Sequence, residues 1–573
     1  MNRTLHQKGD QLMGWFKALS RSRRLVLSLA VVIGLILVAG FGCGDPDQAD
    51  PPGEDDPEPG DSEADRYGGT AVLRIQGEIT TLNPFFGGDT IIGQVGAFTA
   101  ERLVMLNADS EYEGQLATDW SVSEDGLEYT FNLRDDVTWH DGEHFTADDV
   151  IFSFELLMNP EAAVPARSNF LIAGEPIEME KVDDYTVKMI VPELFAPVLT
   201  SVARLPVAPK HILQDINPSD LDTSDWGEEP IHTGPFKFDE YRAGEYIRLV
   251  RHDDYWGGKP YLEEVVLRII PDMSATTVAL ESDQVYFSDV PPDVFQRLEQ
   301  EGNMHTFTAT SGNVQFLSMN NLVWPFTDVR VRKAINHVIN REAIAQHAFL
   351  GYAQPAENFM VPTDMYYNED VLVRYEFDPD RARELLEEAG FEPGSDGIMV
   401  KDGQKLEFEL IITQGNAQRE QAALIIQSDF EEAGISVVPR TMEWSAQVGI
   451  LTAGNDPPEY ETMIMGNTLG PDPDRYHAVY GPSQYLVGFN YLAYLNDEVE
   501  DLFQLGRVTV EEDERQAIYE DLQRIITDDA PVGWLWYAET LYAYSPKLRV
   551  EEAGLTGQAH IRFLNPAGLY IQD

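Results

Sequence analysis

The sequence predicts an α/β protein of two or three lobes built on mixed sheets, and three observations carry that expectation. First, 573 residues with 43% apolar content exceed what one core organises, because chains beyond about 250–300 residues divide into domains. Second, residues 125–157 read as strand, turn and helix. Leu127, Tyr129, Phe131 and Leu133 alternate with Glu128, Thr130, Asn132 and Arg134, the period of a half-buried strand. Thr146 with Asp149 has the spacing of a capping box, and Asp148 and Asp149 suit the positive end of a helix dipole. Val150, Ile151, Phe154 and Leu157 then recur at helical spacing. Third, residues 406–413, 419–434 and 435–443 read as strand, helix and strand, a β-α-β unit that should use the right-handed crossover.

The chain opens on an export signal. Arg21, Arg23 and Arg24 precede an uncharged apolar run, residues 25–42, which ends at Cys43, the only cysteine. A basic flank, an apolar stretch and a small residue at the break direct export, with the basic side kept in the cytoplasm. Two anchors fit. Cleavage before Cys43, with Gly42 at the cut, would leave a lipoprotein lipidated on Cys43; retention would leave a transmembrane helix, for which 18 apolar residues just suffice. The first pattern resembles Leu-Ala-Gly-Cys, although Gly40-Phe41-Gly42-Cys43 lacks the leucine. Residues 44–65 carry ten acids, no base and much proline, the composition of a disordered tether reaching about 25–30 Å.

Charge and cysteine content exclude several classes. With 98 acidic against 40 basic residues and a net charge of −58, the chain has no nucleic-acid partner, since phosphate binding needs a basic face. The acidity suits saline or acidic surroundings, or a generally acidic lineage. A single cysteine rules out an intrachain disulfide and any cysteine-rich metal site.

The body begins with a strand at residues 70–75, turned out at Leu82-Asn83-Pro84. Beyond the strand-turn-helix lies a strand-like stretch from Val182, then proline-rich joints near Pro206 and Pro209. Strands follow at residues 246–250 and 265–269 and a helix from Ser274. Between them Gly257-Gly258 permits a turn with positive φ, against which Tyr255 and Trp256 pack. A strand from Val314 ends its alternation at Asn320-Asn321, a helix starts near Thr327, an Asp-Pro capped helix ends at Gly390, and a charged helix spans about residues 511–527.

Several of these stretches, taken letter by letter, resemble the family 5 extracytoplasmic solute-binding proteins, the receptors of peptide- and nickel-type ABC importers. Residues 116–157 match the signature region of that family. Residues 68–86 match its opening Gly-Gly strand and Leu-Asn-Pro loop, and Tyr255-Trp256-Gly257-Gly258-Lys259-Pro260-Tyr261 stands intact. Asp328, Arg330 and Arg332 match a further motif in which Thr327 replaces an aspartate, and residues 375–393 and 530–541 match others. The resemblance implies a periplasmic-binding-protein-like type II fold, two large lobes hinged through two crossing strands plus a smaller extra lobe. The expected division is 1–43 export signal or anchor, 44–67 tether, 68–112, 232–311 and 534–573 lobe I, 113–231 the extra lobe, and 312–533 lobe II.

Ligand selection is expected at residues 463–480, where a short apolar strand runs into a polar loop, the place where open sheets bind ligands. Asn467, Asp472, Asp474 and Arg475 are candidates there, with Asn83, Phe85, Phe86 and Asn320 on other loops and Trp444, Trp536 and Tyr537 as aromatic surfaces. Dipeptide and oligopeptide binders of the family carry an aspartate for the peptide amine at the place held here by Leu469. That departure leaves two readings open: Asp472 or Asp474 substitutes, or the ligand lacks an amine.

No catalytic motif emerges: there is no Gly-X-Ser-X-Gly, no phosphate-binding Gly-Lys loop and no His-Glu-X-X-His. His140 and His144 lie in a turn and do not share a helix face, so no metal site and no cofactor are expected. The resulting expectation is a monomeric, membrane-tethered, non-enzymatic receptor of an ABC importer, with a small-molecule or peptide ligand and a permease as partners. A ligand sensor on the same fold, or a secreted hydrolase, is the alternative.

Overall fold

The computed structural model describes residues 63–573 apart from Thr80, 87–89, 108–110, Leu469, Pro471, 551–564 and Asp573. The export segment with Cys43, the tether up to residue 62 and Leu469 therefore lie outside the described residues. Among the described residues no helix is long and apolar enough to cross a membrane.

One 11-stranded sheet runs through the body. Its order is Phe236–Arg242, Tyr246–Arg251, Glu264–Ile269, Thr70–Ile75, Phe287–Asp289, Val532–Tyr544, His305–Met319, Thr462–Thr468, Glu407–Thr413 and Ser436–Met442, with Gln354–Pro355 beside Val532–Tyr544. At one end Thr70–Ile75 lies parallel to Glu264–Ile269, and Leu73, Ile75, Val265, Leu267 and Ile269 join Ile247 and Leu249 in a core. At the other end Glu407–Thr413 lies parallel to Ser436–Met442. The connecting helix Ala417–Glu432 buries Ala422, Ala423, Ile426 and Phe430, which completes the β-α-β unit read from the sequence. Both ends are mixed sheets with helices packed on them, so the fold class is the expected one.

Two long antiparallel strands, His305–Met319 and Val532–Tyr544, carry the sheet from one lobe to the other. Residues 305–310 pair with 544–539 and residues 314–318 with 537–532, and the register shifts between Thr310 and Val314. Gly312 sits in the gap at φ +64°, a left-handed backbone that L side chains avoid. Beyond the shift the two strands belong to different neighbours: Phe287–Asp289 pairs with residues 542–544, whereas Thr462–Thr468 pairs with residues 313–319. A bulged pair of strands between two packed lobes is a hinge.

The extra lobe is a four-stranded antiparallel sheet, Ala117–Val122, Glu128–Leu133, Thr186–Ile190 and Glu178–Asp183, against which helix Ala147–Met158 buries Val150, Phe154 and Leu157. The capping box forms: Thr146 N donates to Asp149 Oδ2 at 3.0 Å and Asp148 N to Thr146 Oγ1 at 3.3 Å. Two local expectations shift. The stretch around Val182 is a hairpin, because Asp183-Asp184-Tyr185 turns the chain. The helix Val329–His337 is capped by Asp328, not Thr327, since the carboxylate takes Arg330 N at 3.0 Å.

Tyr255 and Trp256 are indeed packing residues, with a further task. Tyr255 Oη and Trp256 Nε1 both donate to Glu101 Oε1 at 3.0 Å, and Arg134 of the extra lobe lies 3.9 Å over the Trp256 ring. Beside them three histidines meet across the junction, His140 lying 5.2 Å from His252 and 6.4 Å from His232 between ring centroids. His140 Nε2 and His252 Nδ1 each reach Gly234 O, at 3.0 and 3.2 Å.

Candidate functional site

The loop that follows Thr462–Thr468 leaves the sheet at the edge where the parallel strands Glu407–Thr413 and Ser436–Met442 also end. Asp472 caps the short turn Pro473–Tyr476, accepting from Asp474 N at 2.9 Å. Its carboxylate is held by Arg515 in a bidentate pair, Nη2 to Oδ1 at 2.9 Å and Nη1 to Oδ2 at 3.2 Å, with both side chains almost fully buried. Thr200 of the extra lobe donates Oγ1–H to Asp472 Oδ2 at 2.9 Å. Because that proton is committed, Tyr112 Oη, 2.5 Å from Thr200 Oγ1, is the donor to Thr200. The Arg515 guanidinium also lies 5.5 and 5.2 Å from the ring centres of Tyr366 and Tyr519. Burial works against the Arg515 charge, but Asp472 and the tyrosines more than offset it and raise its pKa.

Asp474 pairs with Arg507 Nε at 2.6 Å, yet burial keeps its pKa raised. Arg507 O in turn accepts from Ala196 N of the extra lobe at 2.7 Å. Both aspartates therefore serve a polar seam between the extra lobe and the lobe carrying the 463–480 loop.

The remaining candidates fall in three places. Asn83, Phe85 and Phe86 stand together on the other side. Asn83 Nδ2 donates to Leu221 O and its Oδ1 takes Phe85 N, both at 3.0 Å; Phe85 packs edge-on to Trp226 at 5.8 Å, and Phe86 is half-buried against the same core. Asn320, Trp536 and Tyr537 are interior. Asn320 Nδ2 donates to Pro458 O and Tyr460 O, Trp536 packs against Phe349, and Tyr537 Oη accepts from Asn358 N at 3.1 Å. Trp444 begins helix Trp444–Thr452 and is 52% exposed. Asn467 stands near the end of the interior strand Thr462–Thr468, paired with Val314, with a buried amide nitrogen that has no hydrogen-bond partner among the described residues, and Arg475 lies beside Gly470, where an added Cβ would come within 3.7 Å of its Nη1.

Sequence reading missed the basic residues that shape this edge. Arg419 donates to Gln315 Oε1 at 3.0 and 2.8 Å and to Thr413 Oγ1 at 2.8 Å, neutral partners only, and burial lowers its pKa. Arg102 and Arg204 flank the opposite wall. Their backbones adjoin, with Arg102 bridged to Pro206 and Val207 N donating to Glu101 O at 3.2 Å. A Cβ added at Gly470 would lie 3.4 Å from Arg204 Nη2. No motif marks these arginines; their number in an acidic chain was the available signal. Among the described residues no group of three or more His, Cys, Asp or Glu side chains is placed to hold a metal ion.

A single sheet threaded through two lobes by a bulged strand pair, with polar groups gathered where the strands of one lobe end, defines a two-lobed solute-binding protein. The comparisons with known proteins agree. Residues 111–485 match the family model for bacterial extracellular solute-binding proteins, family 5, middle region, and the chain belongs to that family. It is 30% identical over 498 residues to the oligopeptide-binding protein AppA of Bacillus subtilis, covering 84% of this chain and 90% of the relative. Against the dipeptide-binding protein of Escherichia coli it is 32% identical over 488 residues, covering 81% and 88%. The crystal structure of the ABC transporter substrate-binding protein CtaP of Listeria monocytogenes superposes with a TM-score of 0.81 at 28% identity, covering 89% of this chain and 100% of that one.

Proposed function

We propose that the protein is the extracytoplasmic substrate-binding receptor of an ABC importer, which closes its lobes around a peptide or related organic solute and delivers it to a membrane permease. The observation that carries this reading is the pair of crossing strands with Gly312 at their register shift, a device for opening and closing one lobe on another. The peptide-binding names of its relatives support the ligand class. Cys43 or the apolar run before it would tether the body outside the membrane, and the lobes would divide near residues 112, 231, 311 and 533. The protein works as a monomer and by binding alone, without catalysis.

Closure brings the 463–480 loop and the extra lobe together. Thr200 with Asp472 and Ala196 with Arg507 form contacts that exist only when the two walls meet, so they favour the closed state that a permease would recognise. Trp444 and Asn467 stand where a solute would lie across the strand ends, the first offering an aromatic face and the second an unsatisfied donor.

The test is a thermal-shift and native mass-spectrometry screen of peptides from two to nine residues long, with sugars and metal chelates as further sets. A bound solute at about 100 times its Kd should add about 2.7 kcal/mol to stability and compact the particle in solution scattering. A screen in which no set shifts the melting temperature would remove the receptor reading.

A further inference from the structure

From Ala478 to Asn496 the chain carries no charged side chain, although 24% of its residues are charged and a stretch of this length would hold about four. A buried strand sheds charge because desolvation is costly. Residues 481–496 hold no strand, and their tip is not buried: Val487 is 80% exposed, Phe489 61%, and Leu486 and Leu495 close to half. The base of the loop is nevertheless fixed. Tyr485 Oη donates to Asp456 Oδ1 at 2.5 Å, the buried Asn490 Nδ2 to Gly481 O and Tyr494 O at 3.0 and 2.9 Å, and Phe489 N to Ala478 O at 3.1 Å. Leu486 stands at φ +62°, a left-handed backbone that glycine or asparagine adopts at less cost. Its exposed side chain recovers none of that cost inside the molecule. A leucine kept in that place serves a contact outside it.

The loop lies away from the candidate solute site. Tyr491 O accepts from Tyr460 Oη at 2.8 Å and Leu492 O from Asn321 Nδ2 at 3.0 Å, and Tyr460 and Asn321 flank the end of the sheet where Met319 pairs with Thr462. The solute loop leaves from Thr468, at the other end of the same strand, about 20 Å off. An exposed apolar patch so placed marks a surface for a partner or a membrane.

Charge selects between them. Asp456, Asp497 and Glu498 adjoin the loop and are exposed, so a second copy would bring acids face to face in a chain of net charge −58. A bilayer interface accepts the tip without burying a charge. Tyr485 and Tyr491 flank it, and aromatic rings with a polar end gather at that depth. The apolar run at residues 25–42 and the acidic stretch 44–65 would hold the body within about 25–30 Å of such a surface. A tether raises the local concentration, so an insertion too weak to bind from solution still counts.

We propose that Leu486, Val487 and Phe489 insert into the interfacial layer of the phospholipid bilayer to which the chain is tethered, seating the pole of this lobe on the membrane. The inference rests on the tether reading and is independent of the solute and of the permease.

The full chain is incorporated through its N-terminal segment into phosphatidylcholine vesicles containing a little diazirine-bearing phosphatidylcholine, floated, illuminated, and mapped by peptide mass spectrometry in about 50 mM and about 1 M NaCl. Residues 484–495 should be labelled well above Leu424 and Val278, which are exposed elsewhere, and salt should not weaken the labelling. Val487→Glu with Phe489→Glu should lower it about 10-fold or more, since a charge resists entry into lipid, with an unchanged melting temperature because both side chains are exposed. Labelling of the loop no stronger than elsewhere, or undiminished in the double variant, overturns the inference. So does cross-linking of one copy to another through these residues, or protection of their amides from hydrogen exchange only when native membrane proteins are added, which would assign the loop to a protein partner. Flotation without labelling removes this inference alone; a chain that does not float removes the tether reading with it.

Discussion

Asp472 illustrates how a residue's role depends on a partner far along the chain. Its acidity within a polar loop marks it as a ligand contact, yet Arg515 claims both oxygens. Arg515 stands in Glu511-Glu512-Asp513-Glu514-Arg515, a run that reads as a solvated helix start, so nothing local points to a buried ion pair 43 positions away. Replacing Asp472 by Ala strands a buried guanidinium, and the expected cost is about 3–5 kcal/mol, measured by urea unfolding. Thr200→Val removes one hydrogen bond to the same carboxylate, with an expected loss of about 1 kcal/mol and a more open ligand-free particle in solution scattering. A variant as compact as the parent would show that Thr200 does not hold the seam. Trp536 and Tyr537 carried a legible pattern, alternation on a strand, but alternation cannot tell a cleft from a core when both faces of a crossing strand are covered. Trp444 kept its exposure because it opens a helix at a strand's end.

At the level of elements, local signals were the dependable ones. The capping box at Thr146, the β-α-β unit over residues 406–443 and the glycine turn at 257–258 are written within a few residues of one another, and each forms. Pairings between distant strands are not written that way, and the hinge itself was legible only through resemblance. Gly312→Val should strain the left-handed backbone at the register shift by about 1–3 kcal/mol, and differential scanning calorimetry would register it as a lower melting temperature. The histidines at the lobe junction supply a pH dependence. Burial lowers the pKa of His140, His232 and His252, that of His232 to about 3, below the ordinary value near 6.5. As pH falls below 6.5 the unfolded chain takes up protons that the folded junction refuses, so stability drops with acidification toward pH 3. Arg102, Lys237 and Asp254 are the charges nearest these rings, and none of them supplies a counter-ion to His232. His232→Gln should flatten the fall in melting temperature between pH 7 and 4 relative to the parent; parallel curves would assign the slope to other groups.

For the molecule as a whole, length and composition predicted lobes and acidity, while the seam that ties Asp472 to Thr200 and Arg515 emerged only once segments 272 and 43 positions apart were brought together. A net charge of −58 repels itself, and added salt should screen that repulsion. The melting temperature of the ligand-free protein is therefore expected to rise from low salt to about 1 M NaCl; a fall would mean that the surface ion pairs outweigh the repulsion. The shared sheet also sets an order of assembly. Every other strand of it precedes Val532–Tyr544 in the chain, and that strand alone pairs with both Phe287–Asp289 and His305–Met319. Until it emerges from the ribosome, neither lobe can close its sheet, and a long stretch of chain waits with open edges, the condition that invites aggregation and chaperone capture. Synthesis must thus pass Tyr544 before the molecule can commit to its native shape.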